Sequence, residues 1–350
     1  MFRNFFHSNK NQVIISGTLL AILISASVSY FVGLKVQEEK YAHFLQGFRN
    51  IRENSDKYNF INPLIGGASP PATDVGIFTD IKEDIVSYLA DEEKKGNLYD
   101  YSFYFRDIGT SFWFGANEAT TFFPASLFKL PIALAVYKEG ENDPTFLKRI
   151  VVYTQDLSNA NTSVQENSQT ALVVGKTYSI EGLVEMMLTT SDNGAKDLLL
   201  GQLNKTYLNQ LFEVVALIDP LTVRTYEISS QKYALFLRVL YGSSYLNEEH
   251  SELILKILSK STFDQGLIAG VPGNVPIAHK YGAYEFEEEI NGEKVLAQQL
   301  HDCGIVYHAE KPYIFCFMTK GKDAATLYQI ISHMSKMIYD YQEREEGSYD

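Results

Sequence analysis

Two cysteines in 350 residues are too few for a disulfide framework or a cysteine-rich zinc site. Neither a CxxC pair nor an HExxH motif occurs. Cations are in deficit: 30 Lys and Arg against 43 Asp and Glu give a net charge of −13. A nucleic-acid binder needs clustered cations to neutralise phosphates, so nucleic acid is excluded as a partner. No internal repeat and no low-complexity segment is present. His279, His301 and His308 lack metal-ligand spacing and read as structural or solvated, so no metal and no other cofactor is expected. The apolar fraction, 45%, is ordinary for a globular chain and sufficient for a sizeable core.

One uncharged hydrophobic run stands out, from Asn11 to Leu34. It is long enough to cross a bilayer as a helix. A cleaved signal peptide is the competing reading, with Ser25-Ala26-Ser27 as its small-residue site. Continuation of the run to Leu34 favours an uncleaved anchor. Arg3 and Lys10 precede it, so the positive-inside bias leaves residues 1–12 in the cytoplasm and the rest outside, extracellular or periplasmic. The membrane is then a partner through residues 13–34. Tyr41, Phe44, Leu45, Phe48 and Ile51 recur at helical spacing and predict a stalk helix, broken near Gly66–Pro71. The expected organisation is a stalk and linker over 35–75, a catalytic domain over 76–342, and an acidic tail over 343–350.

Within the domain, Ile77, Ile81, Ile85 and Leu89 step by four and predict a helix. Leu98–Arg106 and Phe112–Phe114 read as a hairpin around Asp107-Ile108-Gly109. Helices are predicted at Ser126–Lys138, at Ile180–Leu188 with Ser179 as N-cap, at Ser229–Tyr241, at Glu249–Lys260 and at Ala324–Tyr341. Val275–Ala278, Gly304–Tyr307 and Tyr313–Met318 read as strands. This order predicts an α+β fold in which both ends of the domain build an antiparallel sheet with helices packed on it.

Ser126-Leu127-Phe128-Lys129 sets a hydroxyl and an amine three residues apart, on one face of a helix. A serine hydroxyl is a poor nucleophile at neutral pH and needs an adjacent base. A lysine serves when burial and a second cation hold it neutral. Free N–H groups at a helix start can receive a developing oxyanion. The motif alone is weak, because Ser229-Ser230-Gln231-Lys232 repeats it. That copy reads as an N-cap and a solvated lysine. Ser126 differs by its company: Ser191-Asp192-Asn193 follows an apolar helix, and Lys280-Tyr281-Gly282 follows an apolar strand.

These three motifs, in this order, resemble the class A β-lactamase and penicillin-binding serine hydrolases over about Ile77 to Tyr341. The resemblance implies an antiparallel five-stranded sheet flanked by helices, with a helical subdomain. It implies that Ser126 is acylated, that Lys129 takes its proton, and that Ser191 protonates the departing nitrogen. Asn193 would hold the substrate amide, and Asp192 would brace the turn. Lys280 would supply a positive charge for a substrate carboxylate and act on Lys129. The N–H groups of Ser126 and Ala283 would form the oxyanion hole, with Tyr281 and Gly282 beside them. The implied ligands are a β-lactam or a peptidoglycan peptide.

The chain departs from the pattern twice. Tyr281 replaces a Thr whose hydroxyl would meet the substrate carboxylate. The loop Glu that activates the deacylating water is not evident; Glu227 is the nearest acid, with Asp219 further off, and both read as solvated. Acylation without rapid hydrolysis is therefore expected, which leaves a D,D-peptidase and a weak β-lactamase open as functions. A signalling receptor and a non-catalytic wall-binding protein are further readings. Glu285, Glu287, Glu288 and Glu289 before Asn291-Gly292 predict an inserted hairpin whose acidic strand either lines the cleft or forms a solvated edge. Cys303 and Cys316 flank another predicted turn, as a disulfide or as two buried thiols.

Overall fold

The computed structural model describes residues 58–62, 78–109, 111–154, 172–215, 217, 226–290, 293–309 and 311–346. The chain divides into two units, 1–50 and 51–350, and all described residues lie in the second. Helix α1 (Thr79–Lys94) leads into β1 (Leu98–Asp107) and β2 (Trp113–Ala116). The two-residue β3 (Thr121–Phe122) precedes a 3-10 turn (Ala125–Phe128) and α2 (Lys129–Asn142). Strands β4 (Ile150–Val152) and β5 (Thr177–Ser179) pair as a separate ladder. Helices α3 (Ile180–Thr189), α4 (Asn193–Gln202) and α5 (Lys205–Val214) follow. Strand β6 (Ile228–Ser229) pairs with β3, and α6 (Ser230–Tyr241) and α7 (Glu248–Leu258) complete the helical part. The chain then returns through β7 (Ile277–Ile290), β8 (Glu293–Val306), β9 (Tyr313–Gly321) and α8 (Ala324–Glu346).

Strands from both ends of the domain form one antiparallel sheet of order β2-β1-β9-β8-β7. The four-residue step of α1 buries Ile81, Ile85 and Leu89 against one sheet face. Leu327, Ile331, Met334 and Ile338 of α8 pack on the same face. Phe103, Phe105, Phe114, Phe315 and Phe317 fill the sheet side of that core with edge-to-face and tilted ring pairs. On the opposite face, Ser102 of β1 and Ser230 of α6 share a hydrogen bond of 2.8 Å. Strand β1 is thus buried on both faces over its last seven residues, which explains why it reads as a continuous aromatic run.

The predicted elements form, several with longer bounds. Ser179 caps α3 by accepting from Gly182 N, at 3.1 Å. The acidic segment is the far half of β7, hydrogen-bonded to β8 along its whole length. Glu285 accepts from Gln298 at 2.8 Å, and Glu287 lies 3.6 Å from Lys294. Cys303 and Cys316 sit opposite each other on β8 and β9 and form a disulfide.

The expected membrane anchor needs correction. Among the described residues no helix is long and apolar enough to cross a membrane. The longest, α8, spans 23 residues but carries Lys336, Asp340 and Arg344, so it is an amphipathic cover for the sheet. Residues 13–34 lie outside the described residues, as do the stalk pattern from Tyr41 to Ile51, the linker glycines, the Asn291-Gly292 turn and Asp219. Among the described residues the fold carries no transmembrane helix. The membrane as a partner and a membrane-anchored location outside the cell are withdrawn with it.

Candidate active site

Ser126 lies in the 3-10 turn, where the sequence predicts the start of a longer helix. Pro131 explains the tight first turn. It has no N–H to return to the carbonyl four residues back, which is Leu127. The buried Tyr233 hydroxyl of α6 donates to that carbonyl instead, at 3.0 Å. Burial, with the Asp302 charge adding to it, raises the Tyr233 hydroxyl well above its ordinary value and keeps it a donor. Just before the nucleophile candidate, Ala125 takes a left-handed conformation, φ 47°. Such a backbone persists in a non-glycine residue only where its surroundings over-determine it.

Two contacts hold this turn against the sheet. Gly282 of β7 is the first. A Cβ there would lie 3.0 Å from Ser126 N, Leu127 N and Pro124 O, so only glycine lets the strand approach the turn. The approach brings the backbone of Gly282 beside the Ser126 N–H. His301 is the second contact, paired across β8 with Gly282. Its Nε2 donates to Phe123 O at 3.0 Å, while its Nδ1 accepts from Thr319 N at 3.3 Å. Burial lowers the His301 ring to about 4, against the pull of the Phe123 and Leu300 backbone, so it is neutral at pH 7.

Ser191 sits at a second strained position, φ 58°, between α3 and α4. The next residue, Asp192, caps α4 by accepting from Ala195 N at 2.8 Å. This is the bracing role read for it. Asn193, the first residue of α4, remains half-buried. Lys129 and Lys280 are each 1% exposed, and both reach Ser191. Lys129 Nζ donates to Ser191 Oγ at 3.0 Å and also to Ser191 O. Lys280 Nζ donates to the same Oγ at 3.0 Å and to Tyr281 O at 3.0 Å. A serine hydroxyl has two lone pairs and one proton. With both lone pairs engaged by lysines, its own O–H is left to point elsewhere.

The structure thus gathers Lys129, Ser191 and Lys280 around one oxygen. Ser126 stands three residues before Lys129 and against Gly282. The residue before Lys280 on β7 makes a buried pair of its own: His279 Nδ1 meets Asp302 Oδ1 at 2.7 Å, and Asp302 Oδ2 accepts from Leu267 N at 3.0 Å. The twin motif lies outside this cluster. Ser229 caps α6 through Lys232 N, at 3.4 Å, and Lys232 is exposed. Glu227 is exposed and accepts from Thr121 Oγ1 at 2.9 Å.

Residues 81–342 match the Beta-lactamase enzyme family. The chain belongs to that family.

No curated protein sequence matches it. Solved structures share the fold of this β-lactamase family member. PBP-A is 20% identical, with a TM-score of 0.62, over 76% of this chain and 97% of that one. An acyl-enzyme complex of a PBP-A mutant with penicillin G is also 20% identical, with a TM-score of 0.62, over 79% and 99%. A β-lactamase from Sphaerobacter thermophilus is 18% identical, again with a TM-score of 0.62, over 75% and 97%. PBP-A and a β-lactamase resemble this family member equally, so the assignment is to the family and not to class A within it.

Sequence reading missed three residues of this family member's site. Tyr233 and His301 hold the turn from outside the motifs. Phe263 stacks on Tyr281, with ring centroids 3.9 Å apart and an interplanar angle of 14°. Pro131 was the available signal for Tyr233, since it implies an orphan carbonyl. Phe263 gives no local signal, because its partner lies on another element.

Proposed function

We propose that this protein is an acyl-serine hydrolase acting on β-lactams or D-alanyl peptides, with Ser126 as nucleophile. The observation that carries this reading is the convergence of Lys129 and Lys280 on Ser191 Oγ beside the Ser126 turn. The PBP-A mutant trapped as an acyl-enzyme with penicillin G supports it at the level of the fold.

Burial and a second cation on the same hydroxyl favour a neutral Lys129 amine. That amine takes the Ser126 proton as Oγ bonds to the substrate carbonyl carbon. The oxyanion forms between the N–H groups of Ser126 and Ala283. The C–N bond then breaks, and the leaving nitrogen takes the Ser191 proton. Ser191 is reprotonated from the lysines bonded to it. Asn193 holds the substrate amide. Water later attacks the acyl-serine and releases the acid. Glu227, exposed and engaged by Thr121, is a poor base for that water. Deacylation is therefore slow, which favours a D,D-peptidase or a weak β-lactamase.

The test follows the fate of the adduct. The full chain is mixed with benzylpenicillin and its intact mass is read over minutes to hours. A lasting adduct fits the slow-turnover reading. Rapid loss with product release makes the protein an efficient β-lactamase, and absence of any adduct overturns the hydrolase reading.

A further inference from the structure

The ring of Tyr281 changes what the cleft can recognise beside Ser191. The departing part of a substrate must lie near Ser191 Oγ to receive its proton, so it meets the groups around that oxygen. One is the Lys280 ammonium, which has three N–H donors. Ser191 Oγ takes one and Tyr281 O another, and the Tyr281 ring covers the ammonium with its centroid 4.2 Å from Nζ. The other lysine, Lys129, is equally buried and also turned to Ser191.

The Tyr281 ring is itself fixed in place. It lies face to face with Phe263, which packs on Tyr328 with centroids 5.4 Å apart. The loop carrying Phe263 is tied to the approach to Ser191: Thr262 N and Oγ1 both donate to Thr189 O, at 3.0 and 3.2 Å. A closed circuit therefore runs from Thr189 through Thr262, Phe263, Tyr281 and Lys280 back to Ser191. Further along β7 the edge carries Glu285 and Glu287. An anionic leaving portion would find the Lys280 ammonium already engaged by Ser191 Oγ, Tyr281 O and the Tyr281 ring, with Lys129 buried beside it.

We propose that Tyr281, clamped by Phe263, encloses the Lys280 ammonium, so that a carboxylate on the leaving-group side of the substrate makes no ion pair with it. The two faces of the Tyr281 ring are taken by Phe263 and by the ammonium, and Lys280 acts on the proton relay rather than on a substrate anion. The inference rests on the reading of Ser126 as the acylated serine. Its test compares two donors that differ only in that charge: benzylpenicillin, whose carboxylate lies on the amine side of the scissile bond, and its methyl ester.

Adduct formation on Ser126 is timed by mass spectrometry in the full chain and in three variants. The wild type is expected to react with the ester and the acid within about twofold of each other, relative to the two donors' hydrolysis in buffer. Tyr281→Thr uncovers Lys280 and is expected to shift that ratio about tenfold toward the acid. Phe263→Ala, which frees the ring, shifts it the same way by less. Tyr281→Phe keeps the ring and leaves the ratio unchanged. A wild type that prefers the acid, or a ratio indifferent to Tyr281→Thr, overturns this inference and leaves the hydrolase reading standing. Failure of both donors to label Ser126 overturns the hydrolase reading itself.

Discussion

The Ser191 hydroxyl accepts from two buried lysines, and that decides what it can do. Its lone pairs are engaged, so its proton is the one group it can offer to a substrate. Ser191→Ala is expected to slow acylation of Ser126 by about 10²–10⁴-fold, as loss of a positioned acid does. Stopped-flow mass spectrometry with a penicillin checks this, and an unchanged rate would remove Ser191 from the relay. His301 carries a pH dependence. Its ring titrates at about 4 in the folded chain, below the ordinary 6.5. Its contribution to stability is complete above pH 6.5 and is lost as pH falls toward 4. Urea unfolding should lose about 3 kcal/mol from this group across that window, the worth of a shift of this size. His301→Gln should flatten that part of the slope, and an identical slope would contradict the assignment. At this scale the motif residues were legible because their chemistry is local: a hydroxyl and an amine at helical spacing. Phe263 and His301 were not, because each matters through a partner on another element: Tyr281 of β7 for Phe263, and Phe123 O, far back in the chain, for His301.

Among the elements, the 3-10 turn and β7 form the working junction. The turn was predicted as plain helix, since the apolar spacing from Leu127 onward is helical. The missing Pro131 N–H and the left-handed Ala125 change its pitch. Gly282 sets how close β7 comes to it. Gly282→Ala places a methyl 3.0 Å from three backbone atoms that cannot swing aside. The strand and turn must then separate by a few tenths of an ångström, which loosens the proposed oxyanion site. Acylation is expected to fall at least about tenfold, with the far-ultraviolet circular dichroism spectrum unchanged. A wild-type rate in this variant would show that the junction does not set the oxyanion geometry. Strand bounds were shortest in the sequence reading for β7 and β8. Their outer halves mix charged residues such as Glu285, Glu287 and Lys294 with apolar ones, and the two strands pair with each other along their whole length.

The whole molecule brings a segment ahead of the family match onto the domain. Residues 59–61 donate three backbone N–H groups to the Glu252 carboxylate of α7, at 2.9, 2.8 and 3.1 Å. Asn62 N donates to Tyr241 O at 3.0 Å, and the Tyr307 hydroxyl donates to Phe60 O at 2.9 Å. Glu252→Ala should raise amide hydrogen exchange at 59–61 by tenfold or more while acylation of Ser126 is unchanged, since these contacts lie outside the relay. Unaltered exchange would mean that the carboxylate does not fasten the segment. The sheet built from both chain ends was legible from the order of elements. This docking was not, because nothing in Asn59-Phe60-Ile61 announces a carboxylate nearly two hundred residues away. The central claim is that Ser126, and not its twin Ser229, is the acylated serine. Fluorescent penicillin labelling followed by peptide mapping tests it in the full chain, in Ser126→Ala and in Ser229→Ala. One label per chain on the Ser126 peptide is expected, retained in Ser229→Ala and absent from Ser126→Ala; a label on Ser229, or one that survives in Ser126→Ala, would contradict the account.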